Sequence, residues 1–286
     1  TPPEVIDAMY TTLRKMGVGA GTILEPSMGA GAFFGQSHSY LYEPTTRLFG
    51  VELDSLTGRI ARQLYQKANI QITGFEKADL PDSFFDVVIG NVPFGDYSVV
   101  DPQYNRLHFK IHDYFFAKSI DKLRTGGIIA FITTSGTLDK KSEEVRKYIN
   151  ARCDFIGAVR LPDSTFKSAG TKAMADIIFL QKRDRILEQD AGWLHTTQTE
   201  DGLSLNSYFS EHPEMVCGTL KTVSGPYGPT LTCEAFADKP LADVLQEAMS
   251  HLHAEFHFQD IELQESGAVE ASIPAEPDVR NFSFCI

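Results

Sequence analysis

Phe85-Asp86-Val87-Val88-Ile89-Gly90-Asn91-Val92-Pro93-Phe94-Gly95 is the stretch on which the reading of this chain turns. Apolar and β-branched residues run without alternation into Gly-Asn-Val-Pro-Phe-Gly, the pattern of a buried parallel strand ending in a tight turn. In open α/β sheets ligands bind at that carboxyl edge. The turn offers the side-chain amide of Asn91, the backbone carbonyl of Val92, the rigid ring of Pro93 and the aromatic face of Phe94. An exocyclic amine on a planar ring, with two N–H groups and a π face, would use all four.

Upstream, Thr22-Ile23-Leu24-Glu25 reads as a short strand, and Pro26-Ser27-Met28-Gly29-Ala30-Gly31 as a glycine turn opening into a helix, where backbone can approach a ligand closely. Leu48–Asp54 is a second strand ending in acids. Glu52 lies 27 positions after Glu25, about one βαβ repeat, and an acid at that place accepts hydrogen bonds from ribose hydroxyls. Ile70–Gly74 is a third strand with Phe75 and Glu76 at its edge, and Asp86–Gly90 is the fourth. Ile128–Thr133, Phe155–Leu161 and Ala175–Gln181 complete seven strands of one doubly wound α/β sheet. Helices are predicted over Glu4–Met16, with Thr1 available as a cap, and over Arg59–Lys67, Ile111–Leu123, Glu143–Asn150 and Leu241–Phe256.

The chain has 286 residues, 42% of them apolar, enough for one large domain with a well-buried core and an appendage. No run has the length of a membrane-spanning helix and no signal segment opens the chain, so no membrane association is expected. Beginning at Thr1, the sequence reads as a piece of a longer polypeptide. Cys153, Cys217, Cys233 and Cys285 show no Cys-x-x-Cys spacing, which argues against a zinc site or disulfide framework and favours a reducing cytoplasm. The net charge of −12 is unevenly spread. Residues 1–185 hold 23 Lys and Arg against 21 Asp and Glu, whereas residues 186–286 hold 3 against 17. Two parts are therefore expected: a near-neutral domain over 1–185 and an acidic C-terminal appendage over 186–286, partly irregular, with the stretch 262–278 disordered.

The glycine turn, the acid ending strand two and the Asn-x-Pro-Phe ending strand four fall in order on one sheet edge. In that order the chain resembles the adenine-N6 DNA methyltransferases, notably the modification subunits of type I restriction systems and helicase-fused methylases of mobile elements, over roughly residues 1–182. The resemblance implies a class I S-adenosylmethionine-dependent methyltransferase fold and an enzyme that methylates a flipped adenine in DNA. It implies that Glu25, Pro26, Ser27, Gly29 and Gly31 hold the methionine end of the cofactor and that Glu52 holds the ribose. Phe75 and Glu76 fall at the adenine end, with Asp79 a rival for the acid. Asn91, Val92, Pro93 and Phe94 match the catalytic loop, whose second residue in the family is proline. Valine keeps the accepting carbonyl, so Val92→Pro is expected to be tolerated. Phe166, in Arg160-Leu161-Pro162-Asp163-Ser164-Thr165-Phe166, would help Phe94 hold the base.

The implied partners are DNA and further domains or subunits for target recognition, a helicase among the candidates. The same loop chemistry serves a protein glutamine or an RNA base amine, which are the alternative substrates; a degenerate cofactor-binding scaffold is the alternative of another class. Other features have plainer readings. His253 and His257 are spaced as on a solvated helix, and no metal site is expected. His108 and His112 suit capping or packing. Lys110, Lys140, Lys141, Arg146 and Lys147 suit solvated helix faces or a basic rim, and Trp193 and Tyr208 the core of the appendage.

Overall fold

The computed structural model describes residues 1–40, 45–167, 173–225 and 228–257. Helix α1 (Pro3–Lys15) leads into strand β1 (Thr22–Glu25), followed by α2 (Ala32–Tyr40), β2 (Arg47–Glu52), α3 (Ser55–Leu64), β3 (Asn69–Ile72) and β4 (Phe85–Asn91). Then come α4 (Ile111–Lys122), β5 (Leu123–Thr134), the single turn α5 (Gly136–Asp139), α6 (Glu144–Asn150), β6 (Cys153–Leu161) and β7 (Ala175–Lys182). The seven strands form one sheet in the order β3-β2-β1-β4-β5-β7-β6. Strands β1 to β5 run parallel, whereas β7 is antiparallel to both of its neighbours, β5 and β6. The order reverses between β1 and β4, and that reversal opens the crevice in which the loops leaving both strands face one another.

Local chemistry explains most element boundaries and corrects several expectations. Pro2, not Thr1, occupies the N-cap of α1, and no side chain caps that end. Helix α3 begins four residues earlier than its apolar spacing suggests, because Asp54 caps it by accepting the Thr57 N–H at 2.8 Å. Helix α8 (Leu241–Met249) ends well before Phe256, so His253 and His257 do not lie on a helix. Beyond it Leu252 and Phe256 still turn into the core, and the Phe256 N–H donates to the Met16 carbonyl at 2.8 Å. Arg146 is not part of a basic rim: it is fully buried and donates to the carbonyls of Leu138, Lys140 and Leu194, binding α5 to the chain that follows β7. Among the described residues no helix is long and apolar enough to cross a membrane. The acidic stretch 262–278 lies outside them.

Residues after 185 form two hairpins, β8 (Thr196–Gln198) with β9 (Ser204–Asn206) and β10 (Gly218–Gly225) with β11 (Gly228–Ala235), together with the short helix α7 (Ser207–Glu211) and α8. Their apolar residues join the cluster of the large sheet. Trp193 stacks on Phe155 of β6 with ring centroids 4.4 Å apart, and Tyr208 meets the same ring edge-on at 5.1 Å. At the centre of this junction Arg160, 0% exposed, grips Asp176 through two bonds of 2.8 and 2.9 Å. It also reaches Asp139 at 2.9 Å and lies 4.1 Å from the Phe209 ring.

Removing one member of a buried ion pair leaves the other charged and dry, at a cost of roughly 3–5 kcal/mol. Arg160→Leu should lower the urea unfolding free energy by an amount of that order. A loss below about 1 kcal/mol, the size expected of an exposed pair, would show that the junction does not depend on this pair.

Candidate functional site

The loops leaving β1, β2, β3 and β4 enclose a cleft of about 770 Å³, a size suited to a small-molecule ligand. Its walls include Pro26, Ser27 and Gly29 after β1, Glu52 and Leu53 at the end of β2, Phe75 and Glu76 after β3, and Asn91 and Pro93 after β4. Residues drawn from four separate motifs of the sequence thus converge on one cavity at the switch point of the sheet.

The glycine turn takes its shape from two left-handed residues, Gly29 at φ +55° and Gly31 at φ +85°, a region that side chains rarely enter. A side chain at Gly31 would also run into the Tyr65 ring, whose hydroxyl donates to the Gly31 carbonyl at 2.7 Å. Glu52 braces the turn from β2. Its carboxylate accepts the Gly29 N–H at 2.7 Å and the Asp54 N–H at 2.8 Å, keeping its oxygens at the cleft wall.

Glu25 lies behind this wall, only 2% exposed, with Oε2 unpartnered. Burial first, and the neighbouring Glu52 second, push its carboxyl well above the ordinary carboxylate range. A charged cofactor group placed there would find a hydrogen-bonding carboxyl already taken out of water.

Asn91 ends β4 with its parts differently engaged. Its backbone carbonyl accepts from the Ser27 hydroxyl at 2.9 Å, which ties the glycine turn to the β4 loop. Its Nδ2 donates to Thr1 Oγ1 at 3.3 Å. Its Oδ1 is buried and has no partner. An acceptor left unsatisfied in a site that also lines a cavity is poised for a donor from a ligand. The Val92 N–H donates to the Ile132 carbonyl at 3.0 Å, extending the β4–β5 ladder by one residue. Proline at 92 would delete that bond, a use of the N–H that the expected tolerance of Val92→Pro does not include.

Phe75, nearly buried, packs against Phe115 at 4.9 Å and presents its ring to the cleft. Glu76 lines the same end, whereas the side-chain amide of Gln71 donates to the Asp79 carbonyl at 2.6 Å and Asp79 is not part of the lining. Phe94 is half-buried against the main core, and Phe166 is 5% exposed within it; neither ring forms part of the cleft wall.

Several lining residues carry no sequence signal. Tyr97, Val99 and Val100 come from the loop between β4 and α4, with Tyr97 57% and Val100 79% exposed. That loop is anchored beyond them by Asp101, which accepts from the Tyr114 hydroxyl at 2.7 Å and the Lys118 ammonium at 3.0 Å. The apolar residues follow neither a strand nor a helix period, and their anchor is formed only in the fold. Among the described residues no cluster of His, Cys, Asp or Glu could hold a metal ion.

The sequence matches the N-6 DNA methylase family over residues 1–201. The chain belongs to that family. Its fold is that of the class I S-adenosylmethionine-dependent methyltransferases. It is 27% identical over 206 residues to the defense against restriction protein B of Escherichia phage P1, a match covering 70% of this chain and 9% of that protein. A modification subunit of a putative type I restriction enzyme from Vibrio vulnificus YJ016 has the same fold, with a TM-score of 0.55 and 17% identity over 74% of this chain and 51% of that one. The type I restriction-modification methyltransferase subunit from Streptococcus thermophilus is similar at a TM-score of 0.55 and 17% identity, covering 88% and 58%. The chain thus spans about half the length of these subunits and a small part of the phage protein.

Glu25 gives this N-6 methylase domain a pH signature. In the unfolded chain its carboxyl releases a proton near the ordinary value of 4.5, whereas in the fold it retains the proton to higher pH. The folded state therefore binds more protons over that window. The associated stability is fully present below 4.5 and is lost as pH rises through the raised folded value. The domain without cofactor should lose stability in urea titrations as pH rises above 4.5, and Glu25→Gln should flatten that loss. An equal decline in both proteins would show that Glu25 is not its source.

Proposed function

We propose that this domain transfers the methyl group of S-adenosylmethionine to the N6 amine of an adenine extruded from DNA, with Asn91 as the side chain that receives the amine. The observation that carries this reading is the unpartnered Oδ1 of Asn91, buried on the cleft wall beside the glycine turn. The amine's lone pair is delocalised into the purine ring, which makes it a weak nucleophile. Accepting its two protons at Asn91 Oδ1 and the Val92 carbonyl favours a more tetrahedral nitrogen, whose lone pair then points out of the ring plane.

The cleft fits the cofactor at each end. Pro26, Ser27 and Gly29 line the end that takes its methionine portion, with Gly31 completing the turn and buried Glu25 behind it. Glu52 accepts from the ribose hydroxyls, and Phe75 with Glu76 flanks the adenine. When bound, the cofactor supplies an electrophilic sulfonium methyl. The Ser27–Asn91 bond makes the loop that holds it and the loop that holds the amine move as one unit. Phe94 stacks on the extruded base. Phe166, enclosed in the core, would have to be uncovered to join it.

Recognition of the DNA sequence falls to other parts of the parent polypeptide or to partner subunits. DNA affinity requires cations opposite phosphates, and residues 186–286 offer three Lys and Arg against seventeen acids. One of the three, Lys221, is already paired with Glu234. A helicase is one candidate for the missing partner.

Two variants test the assignment. Asn91→Ala should abolish transfer of labelled methyl groups to unmethylated duplex DNA while leaving cofactor affinity by calorimetry nearly unchanged. Glu52→Ala should weaken cofactor binding by about 1.5–3 kcal/mol, the worth of hydrogen bonds to a charged group. Turnover by Asn91→Ala at the wild-type rate would remove Asn91 from the reaction, and unchanged affinity in Glu52→Ala would move the ribose contact elsewhere.

A further inference from the structure

An ammonium has three N–H groups to satisfy and accepts nothing, so the partners of a buried lysine show what it holds together. Lys118 of α4 is 6% exposed. Its Nζ donates to the Glu76 carbonyl at 3.1 Å and to Asp101 Oδ2 at 3.0 Å, and lies over the Phe75 ring, 5.3 Å from the centroid. Phe75 and Glu76 belong to the cleft wall after β3, whereas Asp101 ends the run of loop that supplies Tyr97, Val99 and Val100 to the wall after β4. We infer that Lys118 is a positioning residue for purine selection: it fixes the Glu76 carboxylate where the exocyclic amine of the cofactor's adenine lies, and so sets the preference for adenine over a 6-oxopurine. The inference rests on the reading that the cofactor's adenine sits beside Phe75 and Glu76.

Helix α4 holds this short turn at two successive residues. The Phe75 ring packs against Phe115 at 4.9 Å and edge-on against Tyr114 at 6.2 Å, both on α4. The Lys118 bond then ties the Glu76 carbonyl to the same helix. With Phe75 and its own carbonyl anchored, Glu76 keeps little freedom beyond its side-chain torsions. That side chain folds back over Gly74, where an added side chain would run into the Glu76 carboxylate.

A carboxylate held in this way discriminates between purines. It accepts from the 6-amino group of adenine, whereas a 6-oxopurine presents a carbonyl oxygen at that place, and two acceptors then face one another without a proton. A turn released from Lys118 lets the carboxylate swing toward the N1–H of the 6-oxopurine or out into water, and the penalty is lost. The ammonium has a second task. Asp101 is 6% exposed, and Lys118 is its counter-charge, beside the Tyr114 hydroxyl at 2.7 Å. Removing the Asp101 charge as well separates the two tasks, because the need for a counter-charge disappears while the Glu76 carbonyl stays unheld.

The test compares wild type, Glu76→Ala, Lys118→Met and the double variant Lys118→Met with Asp101→Asn in the full chain. Calorimetry gives the affinity of each for S-adenosylhomocysteine and for S-inosylhomocysteine, which carry a 6-amino and a 6-oxo purine, and melting temperatures are measured alongside. Wild type should prefer the adenosyl compound about 10- to 150-fold, the equivalent of hydrogen bonding to a charged group. Glu76→Ala and Lys118→Met should each bring the ratio within about 3-fold of one. Lys118→Met should also melt lower, since it leaves Asp101 buried and unpaired. The double variant should recover the melting temperature but not the ratio. A wild-type ratio in Lys118→Met would overturn the inference. So would a wild-type ratio in the double variant, which would show that the ammonium serves only as the counter-charge of Asp101. A wild type without preference, or a Glu76→Ala that keeps it, would instead overturn the placement of the adenine on which the inference rests.

Discussion

The pairing of β1 with β4 is the constraint on which the site depends. Only two residue pairs, Ile23 with Val87 and Leu24 with Val88, bring these strands into register, yet the strand order reverses there and the cleft opens above them. Side-chain bonds secure the short contact at both ends. At the bottom, buried Asp86 of β4 accepts the Thr22 N–H at 2.7 Å and the Thr22 hydroxyl at 2.9 Å, and is paired with Arg124 of β5 at 2.5 Å. At the top, Ser27 bonds the Asn91 carbonyl. Asp86 has a cation and two further donors to offset its removal from water, which is the condition under which a buried carboxylate is tolerated. A shift of β4 along β1 would break both sets of bonds, so the spacing between glycine turn and Asn91 loop is set by the sheet.

The parts of the site that the sequence made legible are those that end strands. Glu25, Glu52 and Asn91 each follow a run of apolar residues, and parallel strands bring such ends to one edge. Seven strands and their chain order could be read for the same reason. The β4–α4 loop could not be read, because Tyr97, Val99 and Val100 have no period and the Asp101 anchor to Tyr114 and Lys118 exists only once α4 is packed. Helix ends failed where tertiary contacts imitate a local pattern. Leu252 and Phe256 are spaced as on a helix, but both reach the core from chain that has already left α8. Arg146 failed in the opposite sense: a basic residue on a polar helix reads as solvated, whereas three carbonyl acceptors 6 to 48 positions away make its burial possible.

The contrast at residue 92 shows how backbone needs shape the turn that leaves β4. A proline after the asparagine would fix φ but has no N–H, which suits a strand that stops at the asparagine. In this chain β4 pairs Asn91 with Ile132, and Val92 adds one more bond to the ladder through its N–H to the Ile132 carbonyl. Rigidity that a proline ring would confer locally is supplied by the neighbouring strand instead. Val92 is buried at 2% exposure, so its isopropyl group also anchors the turn in the core. With Ser27 on the Asn91 carbonyl and the β5 backbone on the Val92 N–H, both peptide units flanking the Asn91 side chain are constrained. Pro93 and Phe94 then leave the sheet from a fixed base. The turn is held by hydrogen bonding and burial, and residue 92 contributes to both, through the N–H that bonds β5 and the isopropyl group enclosed in the core.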